Sequence, residues 1–132
     1  MNKSKGFTII ELIVVIAIIA VLASIVLVNV TSYINKAKAV KIKSDIANIA
    51  RGVAVCYSET NTYVGCVANV AYVPATLSAD ITSAGGTLVT SATPTVSAYC
   101  VGSSLPGGGN VCTDATGVTK AAACTTSITA CP

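Results

Sequence analysis

The chain has 132 residues, of which 53% are hydrophobic and 10% are charged, and its net charge is +3. This composition excludes intrinsic disorder, which requires low hydrophobicity and high charge, and the mean hydropathy of +0.77 is high for a water-soluble globule. The small net charge argues against a nucleic-acid-binding surface, and the absence of His removes the commonest general base and metal ligand. Six cysteines in so short a chain indicate an oxidising compartment.

The first predicted element is an apolar helix from Phe7 to Val30, preceded by Lys3 and Lys5. As a helix it is about 36 Å long, whereas a bilayer core is about 30 Å thick, so the segment is long enough to cross a membrane. A cleaved secretory signal peptide also has a basic start and an apolar core, and it is the alternative interpretation. The length of the segment and the carboxylate of Glu11 favour a stable anchor.

Glu11 is the residue of this segment that needs a physical explanation, because a carboxylate inside a membrane span is unfavourable by a few kcal/mol unless it is paired. An amino terminus created just upstream would be a suitable partner. Such a pair contributes about 4 kcal/mol before desolvation, for a separation of about 4 Å and an effective dielectric constant near 20. The alternative is that Glu11 reaches the lipid headgroups from the end of the span.

The run KSKGFTIIELIVVI, residues 3–16, resembles the prepilin signature of type IV pilins and the related pseudopilins. That signature is a short basic leader ending in Gly, then Phe, then Glu as the fifth residue after the cleavage point. Gly6, Phe7 and Glu11 match it. The resemblance implies that a prepilin peptidase cuts between Gly6 and Phe7 on the cytoplasmic side and that the new amine of Phe7 is N-methylated. It also implies that Glu11 complements this amine on a neighbouring subunit during assembly.

The same resemblance implies the partners and the location of the protein. Its partners would be other pilin subunits in a homopolymer, the prepilin peptidase, and the pilus assembly machinery of the cytoplasmic membrane. The subunit would be a single-pass membrane protein with its C-terminal domain outside, and later part of an extracellular pilus. The chain departs from the family in lacking a helix-breaking Gly or Pro between Ala20 and Asn29. It also carries more Lys after the span than before it, which opposes simple topology rules.

The helical pattern continues beyond the apolar segment. Apolar residues recur at steps of three and four, which is one stripe of an α-helix, at Ala39, Ile42, Ile46, Ile49, Val53 and Tyr57. Since a helix from Phe7 to Cys56 would be about 75 Å long, the remaining chain cannot cover it. The uncovered apolar half therefore needs lipid or other copies of itself, while the stripe is expected to pack on the domain that follows. The four Lys of residues 36–43 would lie against anionic headgroups or neighbouring subunits.

The domain from Tyr57 onward carries only four charged side chains, Glu59, Asp80, Asp114 and Lys120. Strands are predicted at 68–73, 87–90, 93–101 and 111–120 from their Thr, Val and Tyr content and the turn residues between them. The last two would form an antiparallel hairpin around the turn-forming run SSLPGGGN, residues 103–110. This run is no phosphate-binding P-loop, since it lacks the Lys-Ser/Thr ending.

Six cysteines allow 15 disulfide connectivities. A hairpin centred on Pro106 would place Cys100 opposite Cys112, and Cys124 with Cys131 could close a short loop. Cys56 would then pair with Cys66 and tie the helix end to the first loop. A metal site is the competing interpretation, but no two cysteines have CxxC spacing and His is absent, so no metal is expected.

The sequence thus predicts an α+β fold in which a long N-terminal helix packs on a small, disulfide-bonded antiparallel sheet. The expected parts are a leader (1–6), a membrane and filament-core helix (7–30), an amphipathic continuation (31–56) and a globular head (57–132). The expected function is that of a structural subunit of a type IV pilus serving adhesion, motility or DNA uptake. Two alternatives are a pseudopilin of a type II secretion or competence system, and a membrane-anchored binding module that does not polymerise. No enzyme activity, cofactor or direct nucleic-acid site is expected, since the head has few carboxylates and no activated nucleophile.

Overall fold

A computed structural model describes residues 6–91, 93–125 and 130–132, with the backbone alone at 27 and 28. Within these residues the structure has two helices and then four strands: α1 (Ile9–Thr60), α2 (Ala75–Ser83), β1 (Leu88–Thr90), β2 (Cys100–Ser104), β3 (Asn110–Asp114) and β4 (Thr119–Lys120). The strands form one antiparallel sheet in the order β1-β2-β3-β4. The predicted α+β fold, with a long first helix and a small sheet, is confirmed.

The chain divides into two compact units, Met1–Ile34 and Asn35–Pro132. In the first unit the described side chains from Phe7 to Val26 are exposed, and among the unit's described large apolar residues the exposed fraction runs from 44% at Val30 to 81% at Phe7. By length and composition α1 can cross a membrane. The apolar surface predicted from the sequence is thus exposed along the described residues of this part of α1.

The second unit has its core along one stripe of α1. The side chains of Ile42, Ile46, Ile49 and Val53 are fully buried, and Ala39 and Tyr57 at the two ends of the predicted stripe are half-buried. Ile81 of α2, Val101 of β2 and Val111 of β3 belong to the same cluster. Each such aliphatic side chain contributes roughly 1.5–3 kcal/mol on burial, so this stripe orders the head.

A glycine allows the loop after α1 to approach the helix closely. A Cβ atom at Gly52 would lie 2.0 Å from the backbone oxygen of Tyr72, a distance at which no side chain fits. The loop is also joined to the end of α1 by the disulfide between Cys56 and Cys66, whose Cα atoms are 5.7 Å apart. The helix end and the loop therefore form one packed layer.

The strand predicted at 68–73 is wrong, because that segment consists of turns. The amides of Tyr72 and Val73 donate to the backbone oxygen of Asn69, and its side-chain oxygen accepts from the Ala71 amide. Val67, Val70 and Val73 are spaced by three, a spacing that suits turns better than the alternation of a strand. The sequence also missed α2, in which Leu77 and Ile81 are four residues apart and share a helix face.

The sheet confirms the predicted hairpin but corrects its ends. Strand β2 begins at Cys100 rather than at 93, and the predicted strand at 111–120 is divided into β3 and β4. The division falls at a turn in which Gly117 has a φ of 74°, a conformation that interrupts a strand. Between β2 and β3, the Leu105 amide donates to the Gly109 oxygen across the predicted glycine-rich turn.

Candidate functional site

The predicted cleavage point lies in exposed, non-helical chain. Gly6, Phe7 and Thr8 precede the first residue of α1, and all three are exposed. Among the residues that the structure describes, apart from its chain neighbours, none has an atom within 4 Å of a Cβ placed at Gly6. The peptide bond between Gly6 and Phe7 is therefore accessible, as a substrate bond of a peptidase must be.

Glu11 lies in the first turn of α1 and closes a capping box with Thr8. The Thr8 amide and the Thr8 hydroxyl both donate to Oε2 of Glu11, at 2.8 and 2.9 Å, and the Glu11 amide donates to the Thr8 hydroxyl oxygen at 3.3 Å. This reciprocal arrangement satisfies amides that a helix start leaves without partners. Thr8 was not among the residues predicted from the sequence, although the Thr-x-x-Glu spacing before an apolar run is the known signal of a capping box.

The capping box gives the Glu11 carboxylate local hydrogen-bond partners, which were not considered when its position in the apolar segment was explained from the sequence. The amide and the hydroxyl of Thr8, directly before α1, donate to Oε2, and the helix dipole favours a negative charge at this end. The other oxygen, Oε1, accepts no hydrogen bond from the residues that the structure describes. The arrangement can thus hold a carboxylate at the helix start and present one oxygen to a cation from outside the helix.

The disulfides of the head differ in part from the prediction. Cys56 pairs with Cys66, which is the pairing favoured from the sequence. The pairings of Cys100 with Cys112 and of Cys124 with Cys131 are corrected: Cys100 pairs with Cys124, and Cys112 with Cys131. The sheet register explains the difference, because Cys112 lies opposite Gly102 and Cys100 lies opposite Asp114. The two strand cysteines are diagonal neighbours and not a directly opposed pair.

Three of these sulfur atoms lie close enough together to hold a metal ion. The Sγ atoms of Cys100, Cys112 and Cys131 are within 4.8 Å of one another and are buried. Thiolates are the ligands that zinc and other soft metals take, but each of these sulfurs forms a disulfide here. These three cysteines therefore stabilise the head through disulfide bonds.

Charged and aromatic side chains connect the C-terminal part of α1 to the head. Nζ of Lys41 lies 3.4 Å from Oδ1 of Asp80 in α2. The rings of Tyr57 and Tyr63 stack at 4.3 Å, which places the helix exit against the first loop. Burial raises the pKa of Tyr99 to about 12, and the neighbouring Tyr63 and Asp114 contribute. These contacts pack α1 and the first loop against the sheet.

The start of the chain matches a known family model. Residues 1–27 match the prokaryotic N-terminal methylation motif. This region contains Gly6, Phe7, Thr8 and Glu11, so the exposed junction and the capping box both lie within the motif.

Known relatives are pilin and fimbrial proteins. The chain is 36% identical to a probable minor fimbrial protein of Dichelobacter nodosus over 69 residues, which are 52% of this chain and 43% of the relative. It is 47% identical to a type IV major alpha-pilin and to fimbrial protein Q, both of Moraxella bovis, over 47 residues, or 36% of this chain and 30% of each relative. The chain thus spans less than half the length of the curated relatives that it matches. No solved structure matches the chain.

Proposed function

We propose that the chain is a structural subunit of a type IV pilus. In this proposal a prepilin peptidase cuts between Gly6 and Phe7, the amine of Phe7 is methylated, and the product polymerises into a surface filament. The observation that carries the proposal is the coincidence, within residues 1–27, of the methylation motif, an accessible Gly6–Phe7 bond and an acidic residue at the start of an exposed apolar helix. The names of the relatives point the same way.

The exposed apolar surface of α1 supports two successive locations. Large side chains such as Ile9, Ile10 and Leu12 expose more than half of their surface, and water does not tolerate so continuous an apolar face. Before assembly the bilayer would cover this surface, with the head outside the cytoplasmic membrane. After assembly the same helices of neighbouring subunits would cover it in the core of an extracellular pilus.

Glu11 would set the position of each subunit along the filament. Its Oε2 atom is held by Thr8, which leaves Oε1 to accept a hydrogen bond from the positive amine of Phe7 of a neighbouring subunit. A charge-assisted contact of this kind, formed where water is excluded, is stronger than in solvent. The carboxylate would then gain a cationic partner on polymerisation that the membrane-stored subunit lacks.

The test separates the charge of Glu11 from its capping role. In Glu11→Gln the side chain can still close a capping box but has no charge, whereas Glu11→Ala removes both. The proposal expects both variants to be processed and stored in the membrane but absent from sheared filaments. The matched control is Glu59→Gln, the same chemical change at an exposed position near the other end of α1, which should assemble like the parent. Filaments of Glu11→Gln at the parent's level would contradict the proposed role.

Two further measurements distinguish the proposal from its alternatives. Mass spectrometry of the purified chain should find a methylated Phe7 as the first residue, and a chain beginning beyond residue 25 would indicate a cleaved signal peptide instead. Electron microscopy of cells should show surface filaments containing the chain. A processed protein without surface filaments would favour a pseudopilin. Unchanged location and function of Glu11→Ala would favour a membrane-anchored binding module.

A further inference from the structure

Four cysteines of the head meet in one buried cluster, which comprises Cys100, Cys112, Cys124 and Cys131. The structure joins Cys100 to Cys124 and Cys112 to Cys131, yet the Sγ atoms of Cys100 and Cys112 lie only 3.8 Å apart. Four cysteines can pair in three ways. Proximity alone therefore does not determine which partner each sulfur takes.

Two charged side chains hold the backbone of Cys131 next to Cys112. Oδ2 of Asp114, the last residue of β3, accepts a hydrogen bond from the Cys131 amide at 2.9 Å. Nζ of Lys120 in β4 donates to the Cys131 backbone oxygen, also at 2.9 Å. In the sheet Lys120 lies directly opposite Cys112, whereas Asp114 lies two residues from Cys112 and directly opposite Cys100. The Lys120 contact therefore places Cys131 on the Cys112 side, and the Asp114 contact fixes its backbone amide.

Asp114 is itself firmly positioned. It is 3% exposed, and its Oδ1 atom accepts from the amide of Thr116 at 2.9 Å and from the Thr116 hydroxyl at 2.5 Å. A buried carboxylate with this many donors is an ionised one, and its hydrogen bonds are charge-assisted. Such a group holds a backbone amide in one place, which a neutral side chain would do less well.

We propose that Asp114 and Lys120 are positioning residues that direct Cys131 to Cys112 rather than to Cys100 or Cys124. Two thiols form a disulfide by losing two protons and two electrons, here to a small-molecule disulfide that is reduced to two thiols. The thiolate of one cysteine first forms a mixed disulfide with this oxidant, and the second cysteine then displaces the remaining thiol. The two hydrogen bonds to Cys131 would act at this second step, by bringing the sulfur of Cys112 nearest.

The test is reoxidation of the full chain in detergent, after reduction and unfolding in guanidinium, in a mixture of reduced and oxidised glutathione. The disulfides are mapped by fragmentation of non-reduced peptides. The parent should regain the pairs Cys100–Cys124 and Cys112–Cys131. Asp114→Asn and Lys120→Met should each give about tenfold more of the other pairings, chiefly Cys100–Cys112 with Cys124–Cys131, because each loses a hydrogen bond that involves a charged group. Lys120→Arg keeps a donor and should restore the parent's pairing.

Asp80→Asn is the matched control, since it removes the same charge from an ion pair elsewhere in the head. A second measurement uses variants already oxidised in the cell, so that a failure to refold leaves the proposal testable. There Lys120→Met should speed reduction of Cys112–Cys131 by dithiothreitol about tenfold, with no change for Cys56–Cys66. Parent-like pairing in both variants, or an equal effect of Asp80→Asn, would overturn the proposal.

Discussion

Single residues account for two features of this protein that its composition does not reveal. Thr8 closes the capping box with Glu11, and Gly52 lets the Tyr72 carbonyl pack against α1. The Thr-x-x-Glu spacing could have disclosed the first. No local signal disclosed the second, because the need for glycine arises from a segment 20 residues away in the chain.

Gly52→Ala is expected to destabilise the head by about 1–3 kcal/mol, the usual effect of forcing extra volume into packed structure. At an unobstructed helix position the same change would stabilise by about 1 kcal/mol, so the sign of the effect tests the close contact. Chemical denaturation followed by circular dichroism, in the full chain in detergent, measures it. Ser44→Ala, at an exposed position of α1, is the control and should be close to neutral. A stabilised Gly52→Ala variant would refute the contact.

The lowered pKa of Asp114 should make the stability of the head depend on pH. Burial alone would raise the pKa of Asp114, but hydrogen bonds from Thr116 and Cys131 and the charge of Lys120 outweigh it, so the pKa is lowered in the folded head. A group with a lowered folded-state pKa stabilises the fold above its unfolded pKa, near 3.9, and this contribution is lost as the pH falls through the folded value. The free energy of unfolding should therefore fall below about pH 4.

Urea denaturation between neutral pH and strongly acidic pH measures this dependence. In Asp114→Asn the decrease in acid should be shallower than in the parent, since the titrating group is gone. Identical slopes for the two proteins would show that Asp114 does not contribute.

At the scale of elements, the spacing of residues along the chain predicted the long helix and the hairpin but missed the short helix α2. The stripe of α1 lies where it was predicted, and the hairpin of β2 and β3 surrounds the predicted turn, although its strands have other ends than predicted. Helix α2 is only nine residues long and rich in Ser and Thr, so its apolar pair Leu77 and Ile81 gave little signal. The valines of 67–73 resembled a strand in composition, but turns closed by Asn69 determine their conformation.

Removing the disulfide that ties α1 to its following loop should weaken the head. The cysteines of this pair are 10 residues apart, and closing a loop of this length contributes roughly 2–3 kcal/mol through the unfolded state. We expect the double variant Cys56→Ser, Cys66→Ser to lose about that much unfolding free energy, as measured by denaturation. A parent-like stability would indicate that Tyr57, Tyr63 and the packing at Gly52 suffice to hold the loop.

At the scale of the whole molecule, the two units differ in what covers their apolar residues. The core of the second unit, Asn35–Pro132, is assembled from its own helices and sheet. A chain restricted to Asn35–Pro132 should therefore fold as a water-soluble monomer with three disulfides, whereas the full chain should require detergent or associate. Size-exclusion chromatography with light scattering measures both, and aggregation of the shorter chain would contradict this division.

The sequence by itself determined the long apolar helix, its acidic residue, the buried stripe and the hairpin, because each rests on local composition or on a regular spacing along the chain. Only the tertiary structure decided the pairing of the last four cysteines, the need for glycine at position 52 and the contacts of Asp114 and Lys120 with Cys131. These depend on strand register and on the approach of segments distant in the chain, and no local pattern of residues encodes such distances.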